Sequence, residues 1–151
     1  MEVSFRIARR ADLRAIVGLL ADDALGAARE DPAQAETGPY LAAFEAISRD
    51  PNQMLLVMTE GEAILGTLQL SFLPGLSRRG AWRGQIEGVR VASTARGRGL
   101  GARLIGHAVD ECRARGCALV QLTTDQSRTD AHRFYEGLGF SATHLGYKLT
   151  L

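Results

Sequence analysis

The segment Arg96-Gly97-Arg98-Gly99-Leu100-Gly101 has the composition of an anion cradle. Glycines without side chains let backbone N–H groups approach a ligand, a helix opening directly after them would add its positive N-terminal end, and two arginines add formal charge. A pyrophosphate is the ligand that such a loop suits. From Arg90 to Val109 the chain has no acidic residue, whereas Arg90, Arg96, Arg98 and Arg103 are basic, a distribution that favours a ligand with several negative charges. Taken alone, Gly97-Arg98-Gly99-Leu100-Gly101-Ala102 also satisfies the dinucleotide fingerprint G-x-G-x-x-G/A, and Asp125 follows the next strand near the offset of a ribose ligand. Against an NAD(P)-type dinucleotide-binding protein stand the five residues Ala92 to Arg96 between the strand and the first glycine. The 26 residues after Asp125 are also too few for the rest of a Rossmann sheet and a substrate domain.

Other reactive side chains are sparse. Cys112 and Cys117 lie five positions apart, with no second cysteine pair and no histidine spaced to complete a zinc site, so both read as small core residues. The histidines, His107, His132 and His144, are scattered, and no metal is expected.

The elements that must position the loop follow from hydrophobic spacing. Val3 to Ile7 is a short apolar start, and Asp12 is placed to cap a helix whose Leu13, Ile16, Val17 and Leu20 share one face. A polar, acidic stretch with Asp22, Asp23, Glu30, Asp31 and Glu36 leads to Thr37-Gly38-Pro39, the start of a helix carrying Tyr40, Leu41, Phe44 and Ile47 that Asp50-Pro51-Asn52 breaks. Met54 to Thr59 and Ala63 to Phe72 flank Glu60-Gly61-Glu62 as a β-hairpin. After a basic loop, Pro74 to Gly80, a long strand runs from Arg83 to Val91 into the glycine loop. Leu100, Leu104, Ile105, Ala108, Val109 and Cys112 trace a helical stripe closed by Gly116. Cys117 to Leu122 has the continuous apolar character of a strand buried on both faces, Thr129 to Leu138 is a helix stopped by Gly139, and Phe140 to Leu151 reads as one or two strands. The order predicts an α/β fold with a mixed sheet, the strands on either side of the Gly99 helix being parallel because a helical crossover joins them.

Composition bounds the rest. A chain of 151 residues, 46% hydrophobic and 23% charged, suits one domain over 1–151 with a sizeable core. A net charge of +1 speaks against a general nucleic-acid binder, and no apolar run approaches the roughly 18 residues of a membrane span. MEVSFRIARRADL lacks the features of a secretory signal, so a cytoplasmic location is expected.

Val89-Arg90-Val91, the loop from Arg96 to Gly101, and Ala131-His132-Arg133-Phe134-Tyr135-Glu136-Gly137-Leu138-Gly139-Phe140 together resemble the GNAT superfamily of N-acetyltransferases. Arg96, Gly99 and Gly101 match the family's signature of Gln or Arg, two residues, Gly, one residue, then Gly or Ala. The second match is Ala, two residues, Phe-Tyr, then Leu-Gly-Phe. The resemblance implies a GNAT-like acyl-CoA N-acyltransferase fold, a central mixed β-sheet flanked by helices, with acetyl-CoA as co-substrate. Carried onto this chain, the main chain of Val89, Arg90 and Val91 would take the pantetheine arm. Amides from Gly97 through Arg98, Gly99, Leu100 and Gly101 to Ala102 would take the phosphates, beside the Arg96 side chain. A bulge of the family's first parallel strand would fall at Gly88, where glycine inside a strand marks a bulge or close approach.

The reaction implied is direct acetyl transfer to a primary amine without a covalent enzyme intermediate. An ordinary alkylamine, pKa about 10.4, is free base only about once in a thousand molecules at neutral pH, so a base must take a proton. By the resemblance that base would be Glu87, and partial burial would raise its pKa into a useful range. Tyr135 matches the family tyrosine that donates a proton to the departing thiolate. Where many relatives carry an Asn this chain has Arg128, for which coenzyme phosphate contact or a solvent-facing position are both open. The family's fold can also persist as a catalytically inactive CoA-binding regulatory module; the presence of Glu87 and Tyr135 argues for an enzyme. The acceptor would be a small-molecule or peptide amine, with the acidic stretch from Asp22 to Glu36 as its expected recognition segment. A homodimer is expected, since Phe140 to Leu151 presents an edge that needs covering.

Overall fold

The structure, a computed structural model, describes residues 2–151. Strands β1 (Val3–Ile7), β2 (Gln53–Glu60), β3 (Ala63–Leu73), β4 (Arg83–Val91) and β5 (Leu119–Leu122) form one sheet in that order. The pairs from β1 to β4 are antiparallel. β5 runs parallel to β4, because the bonds from Ala118 N–H to Trp82 O and from Gln121 Nε2 to Gln85 Oε1 advance together along both strands. The mixed sheet is therefore present, with its parallel pair where the helical crossover requires it.

The helices are α1 (Leu13–Ala21), α2 (Ala24–Arg29), α3 (Gly38–Arg49), the single turn α4 (Ser77–Gly80), α5 (Leu100–Ala114) and α6 (Thr129–Gly137). Of these, α1 and α3 cover one face of the sheet and α5 the other. Leu56, Val57 and Met58 are consecutive on β2 and all buried, and neighbours on a strand point to opposite sides. On the Val57 side pack Ala8, Ile16 and Leu20 of α1, and Phe44 of α3. On the Met58 side, Met58 Cε and Leu104 Cδ2 both close on Gly66, so α5 lies there and buries Leu104, Ile105, Ala108 and Cys112. Close approach of α5 to the sheet depends on Gly84, where a Cβ would overlap Cys112 Sγ. The chain divides into two compact units, Met1–Gln121 and Leu122–Leu151.

Four local expectations are corrected. Asp12 precedes α1 but does not cap it; its carboxylate accepts from Arg9 N–H at 2.7 Å and from both terminal nitrogens of Arg6 at 2.7 and 3.0 Å, tying β1 to the helix start. The acidic stretch, for which the sequence predicted no element, holds a helix: Asp23 accepts from Gly26 N–H and opens α2, whose Ala-rich Ala24–Arg29 favours helix. β5 is half-buried throughout, because it is the last strand of the sheet, not an interior one. Residues 140–151 form no strand among the described residues, since none of the five strands pairs with them.

Candidate active site

β4 is interrupted where the sequence placed a bulge. Gln69 of β3 pairs with Glu87 and Thr67 with Arg90, so the single residue Leu68 faces two, Gly88 and Val89. Gly88 has φ +61, a conformation that side-chain-bearing residues seldom adopt, which is why glycine serves here. Glu87 stands immediately before the extra residue. It is exposed, contrary to the partial burial expected of it, and the glycine that follows carries no side chain to shield it.

The α1–α2 elbow lies against this bulge. Leu20 Cδ2 lies 3.5 Å from where a Cβ on Gly88 would be. Asp23, which caps α2 through one oxygen, meets Arg90 Nε through the other at 3.2 Å, with both side chains largely buried. Arg90 also donates to Val89 O at 2.8 Å, so its guanidinium is committed to the strand and the elbow. The sequence placed Leu20 on a buried helix face and Asp23 in the acceptor-recognition stretch, but not against Gly88 and Arg90; the available signal for the elbow was Asp23 three residues before Gly26 ahead of a run of helix formers. Most of the other carboxylates proposed for acceptor recognition are also engaged. Asp31 accepts from Ala33 N–H, Glu30 from the Tyr40 hydroxyl, and Glu36 from Arg14.

Beyond β4, Ala92–Arg96 turns through the short 3-10 helix Ser93–Ala95 into the glycine loop. Gly97 and Gly99 both have left-handed φ, +77 and +71, and Gly99 is the N-cap of α5. The first bond of the helix runs from Arg103 N–H to Gly99 O, so the amides of Leu100, Gly101 and Ala102 have no carbonyl of their own helix to meet. Leu100 turns its side chain into the core and anchors the helix start. Arg96 is exposed at the loop's entrance. Arg98 turns instead to Glu60 in the β2–β3 hairpin, with N···O distances of 2.7 and 3.4 Å, a bond that holds the Glu60 carboxyl below its usual range. Thirty-eight residues separate that pair, and nothing in the spacing announced it.

Arg128 and Tyr135 belong to the second unit. Arg128 is the N-cap residue of α6 and half-buried. Tyr135, in the last turn of the helix, sits edge-on to Phe134 and Phe140 with centroids 5.1 and 5.9 Å away, while Phe140 N–H returns to Tyr135 O where the helix ends. Cys112 is buried, and desolvation first, with Cys117 beside it, pushes its thiol up to about 12, as suits a core residue and not a nucleophile. No group of residues that could hold a metal ion occurs among the described residues. An open depression of about 450 Å³ between α3 and the start of β2, lined by Phe44, Ile47, Met54, Leu55 and Arg115, includes no residue of the bulge, the glycine loop or α6.

A glycine loop that presents free helix amides just beyond a bulged strand is the arrangement of an acyl-CoA-dependent acyltransferase. The model of the acetyltransferase (GNAT) family matches residues 19–140, and the chain belongs to that family. Aminoalkylphosphonate N-acetyltransferase of Salmonella typhimurium is 33% identical over 72% of this chain and 70% of its own length. Glucosamine 6-phosphate N-acetyltransferase of Trypanosoma brucei brucei is 36% identical over 58% of each chain. A crystal structure titled as a transcriptional regulator from Bacillus halodurans is 47% identical, with a TM-score of 0.95 over 99% of this chain and 100% of that one. The protein is thus an acyltransferase of the N-acetyltransferase type, and the fold is the one that the motifs implied. No helix among the described residues is long and apolar enough to cross a membrane.

Proposed function

We propose that this protein transfers an acetyl group from acetyl-CoA directly to the primary amine of a small molecule. The observation that carries the reading is the pair of left-handed glycines, Gly97 and Gly99, that feed unbonded amides of Leu100 to Ala102 into one anion site at the start of α5. The phosphates of the coenzyme would sit on those amides with Arg96 beside them. The strand edge at Val89–Val91, freed by the bulge, would take the pantetheine arm. Arg98 would join the phosphates only on leaving Glu60.

Glu87 takes a proton from the bound ammonium, directly or through a water, and the neutral nitrogen attacks the thioester carbonyl. Collapse of the tetrahedral adduct breaks the C–S bond, and the Tyr135 hydroxyl protonates the departing sulfur. As the amide forms, nitrogen gives up its remaining extra proton, which restores the Tyr135 hydroxyl by way of solvent. The carboxylate of Glu87, exposed beside Gly88, is open to exchange that proton with solvent between turnovers.

For the acceptor, the relatives' names describe amines that carry a phosphorus oxyanion on a small skeleton. We place this protein's acceptor in the same class, in preference to a peptide. Engagement of Asp23, Glu30, Asp31 and Glu36 in the fold leaves the acidic stretch ill-suited to recognise an amine by charge alone.

Calorimetric titration with acetyl-CoA and, separately, with NADH tests the coenzyme. Micromolar binding of acetyl-CoA without NADH binding is expected; binding of NADH alone would restore the dinucleotide reading. Thiol release with aminoethylphosphonate, glucosamine 6-phosphate and their phosphorus-free amines then tests the acceptor. Acetyl-CoA binding without turnover of any amine would favour an inactive coenzyme-binding module.

A further inference from the structure

The face of the sheet that carries Glu87 changes character along its strands. Near the elbow it is apolar and covered, with Leu55 and Val57 packed under α1 and α3. Further toward the start of β4 it becomes polar on four strands in succession. Gln53 stands opposite Ser71, Ser71 opposite Gln85, and Gln121 Nε2 donates to Gln85 Oε1 at 2.9 Å. Ser71 Oγ donates to Gln53 Oε1 at 2.8 Å. The opposite face of the same strands is ordinary core, with Leu70, Phe72 and Ile86 buried.

A polar row across a sheet costs stability wherever its groups go without hydrogen bonds. Here the bonding is half used. Gln85 accepts from Gln121, but its own amide N–H donors have no partner among the described residues, and it holds no buried, unpaired atom. Those donors therefore face outward from the row.

Glu87, Gln85 and Arg83 alternate along β4 and share this face, opposite Gln69, Ser71 and Leu73 of β3. The bulge comes after Glu87, so the strand between them is regular and the Cα atoms of Glu87 and Arg83 lie about 13 Å apart. Arg83 is exposed and meets no hydrogen-bond or ion-pair partner among the described residues. From Ala63 to Ile86 the chain has no acidic residue, whereas Arg78, Arg79 and Arg83 are basic. One face of one strand thus offers a carboxylate, an amide donor and a cation in line.

We infer that Arg83 binds the anionic group of the acceptor whose amine meets Glu87, with Gln85 donating to the skeleton between them. The acceptor is then a short molecule with an ammonium at one end and a phosphorus oxyanion at the other. The guanidinium presents paired N–H donors that match two oxygens of such a group. This rests on the acetyl transfer at Glu87 proposed above and adds the residue that selects the acceptor.

Rates of thiol release with aminoethylphosphonate and with ethylamine test it. Wild type should favour the phosphonate in kcat/KM by roughly tenfold or more, the order of one charged hydrogen-bonded contact. Arg83→Met should erase that preference and Arg83→Lys should restore part of it. Arg113→Met, which removes a positive charge from α5 on the other face, should leave it in place. A wild type without the preference, or Arg83→Met with the preference intact, would overturn the inference. Failure of the transfer reaction is a separate result: should no amine turn over, calorimetric titration of the CoA-saturated protein with aminoethylphosphonate decides. Binding that Arg83→Met weakens roughly tenfold supports the role of Arg83, and absent or equal binding overturns it.

Discussion

Glu87 and Tyr135 ask different things of their surroundings. A base must exchange protons with solvent and with the amine, and the exposed carboxylate at the lip of the bulge meets that condition. We expect Glu87→Gln to lower kcat on the order of a hundredfold at neutral pH. The ratio of wild type to variant should shrink as pH rises toward the amine's own pKa, where no base is needed; a constant ratio across the profile would remove the assignment. Tyr135 sits edge-on to Phe134 and Phe140, ring contacts that a phenylalanine would keep. Tyr135→Phe should therefore keep the helix and the acetyl-CoA Kd while lowering kcat roughly tenfold or more, which titration and steady-state rates on one preparation will show. The sequence put both forward, Glu87 from its place one residue before Gly88 and Tyr135 from the motif that runs from Ala131 to Phe140. It misjudged the burial of Glu87, since burial depends on which element packs over a strand and not on the strand itself.

At the scale of elements, two contacts decide how closely the layers approach. Gly84 admits Cys112 Sγ between β4 and α5, so Gly84→Ala should destabilise the fold by about 2 kcal/mol through overpacking. Gly84→Ala/Cys112→Ala should recover most of that loss in urea unfolding, because removing the sulfur makes room for the added methyl. On the other side, Asp23 joins the α1–α2 elbow to Arg90. Asn keeps the capping oxygen but loses the charge, so Asp23→Asn should raise the acceptor KM roughly fivefold, about 1 kcal/mol, with little change in the acetyl-CoA Kd. A changed coenzyme affinity with an unchanged KM would show that the pair serves the strand and not the elbow. Helical and hairpin elements were legible from periodicity and turn residues, whereas α2 was hidden by its acidic flanks and the Asp23–Arg90 pair by the long stretch of chain between its members.

For the molecule as a whole, acid sensitivity should centre on the N-terminal strand. The hydrogen bonds from Arg6, then from Arg9 N–H, hold the Asp12 carboxyl below its ordinary value of 3.8 despite its burial. A depressed folded pKa means that this stabilisation is complete above 3.8 and is lost as pH falls through the lower folded value. Asp12→Asn should cost about 2 kcal/mol at pH 7, and the two unfolding curves should converge below about pH 3.8. The same gap at pH 7 and at pH 2 would mean that Asp12 acts by shape and not by charge. The hairpin, the parallel pair and the turn of the glycine loop into a helix were readable because local patterns encode them. The fate of residues 140–151 was not, since an alternating stripe specifies a strand without naming its neighbour.

The extra residue in β4 also acts as a phase shift. Strand side chains alternate, so along an uninterrupted strand Glu87 and Arg90, three positions apart, would face opposite ways. Their partners Gln69 and Thr67 lie two apart on β3 and share a face, and the bulge brings Glu87 and Arg90 onto one face as well. The polarity of everything between Val89 and the glycine loop is thereby set by one inserted position. Removing Gly88 would invert that register, turning Arg90 away from Asp23 and presenting the opposite side of Val89–Val91, without altering a single residue that touches substrate.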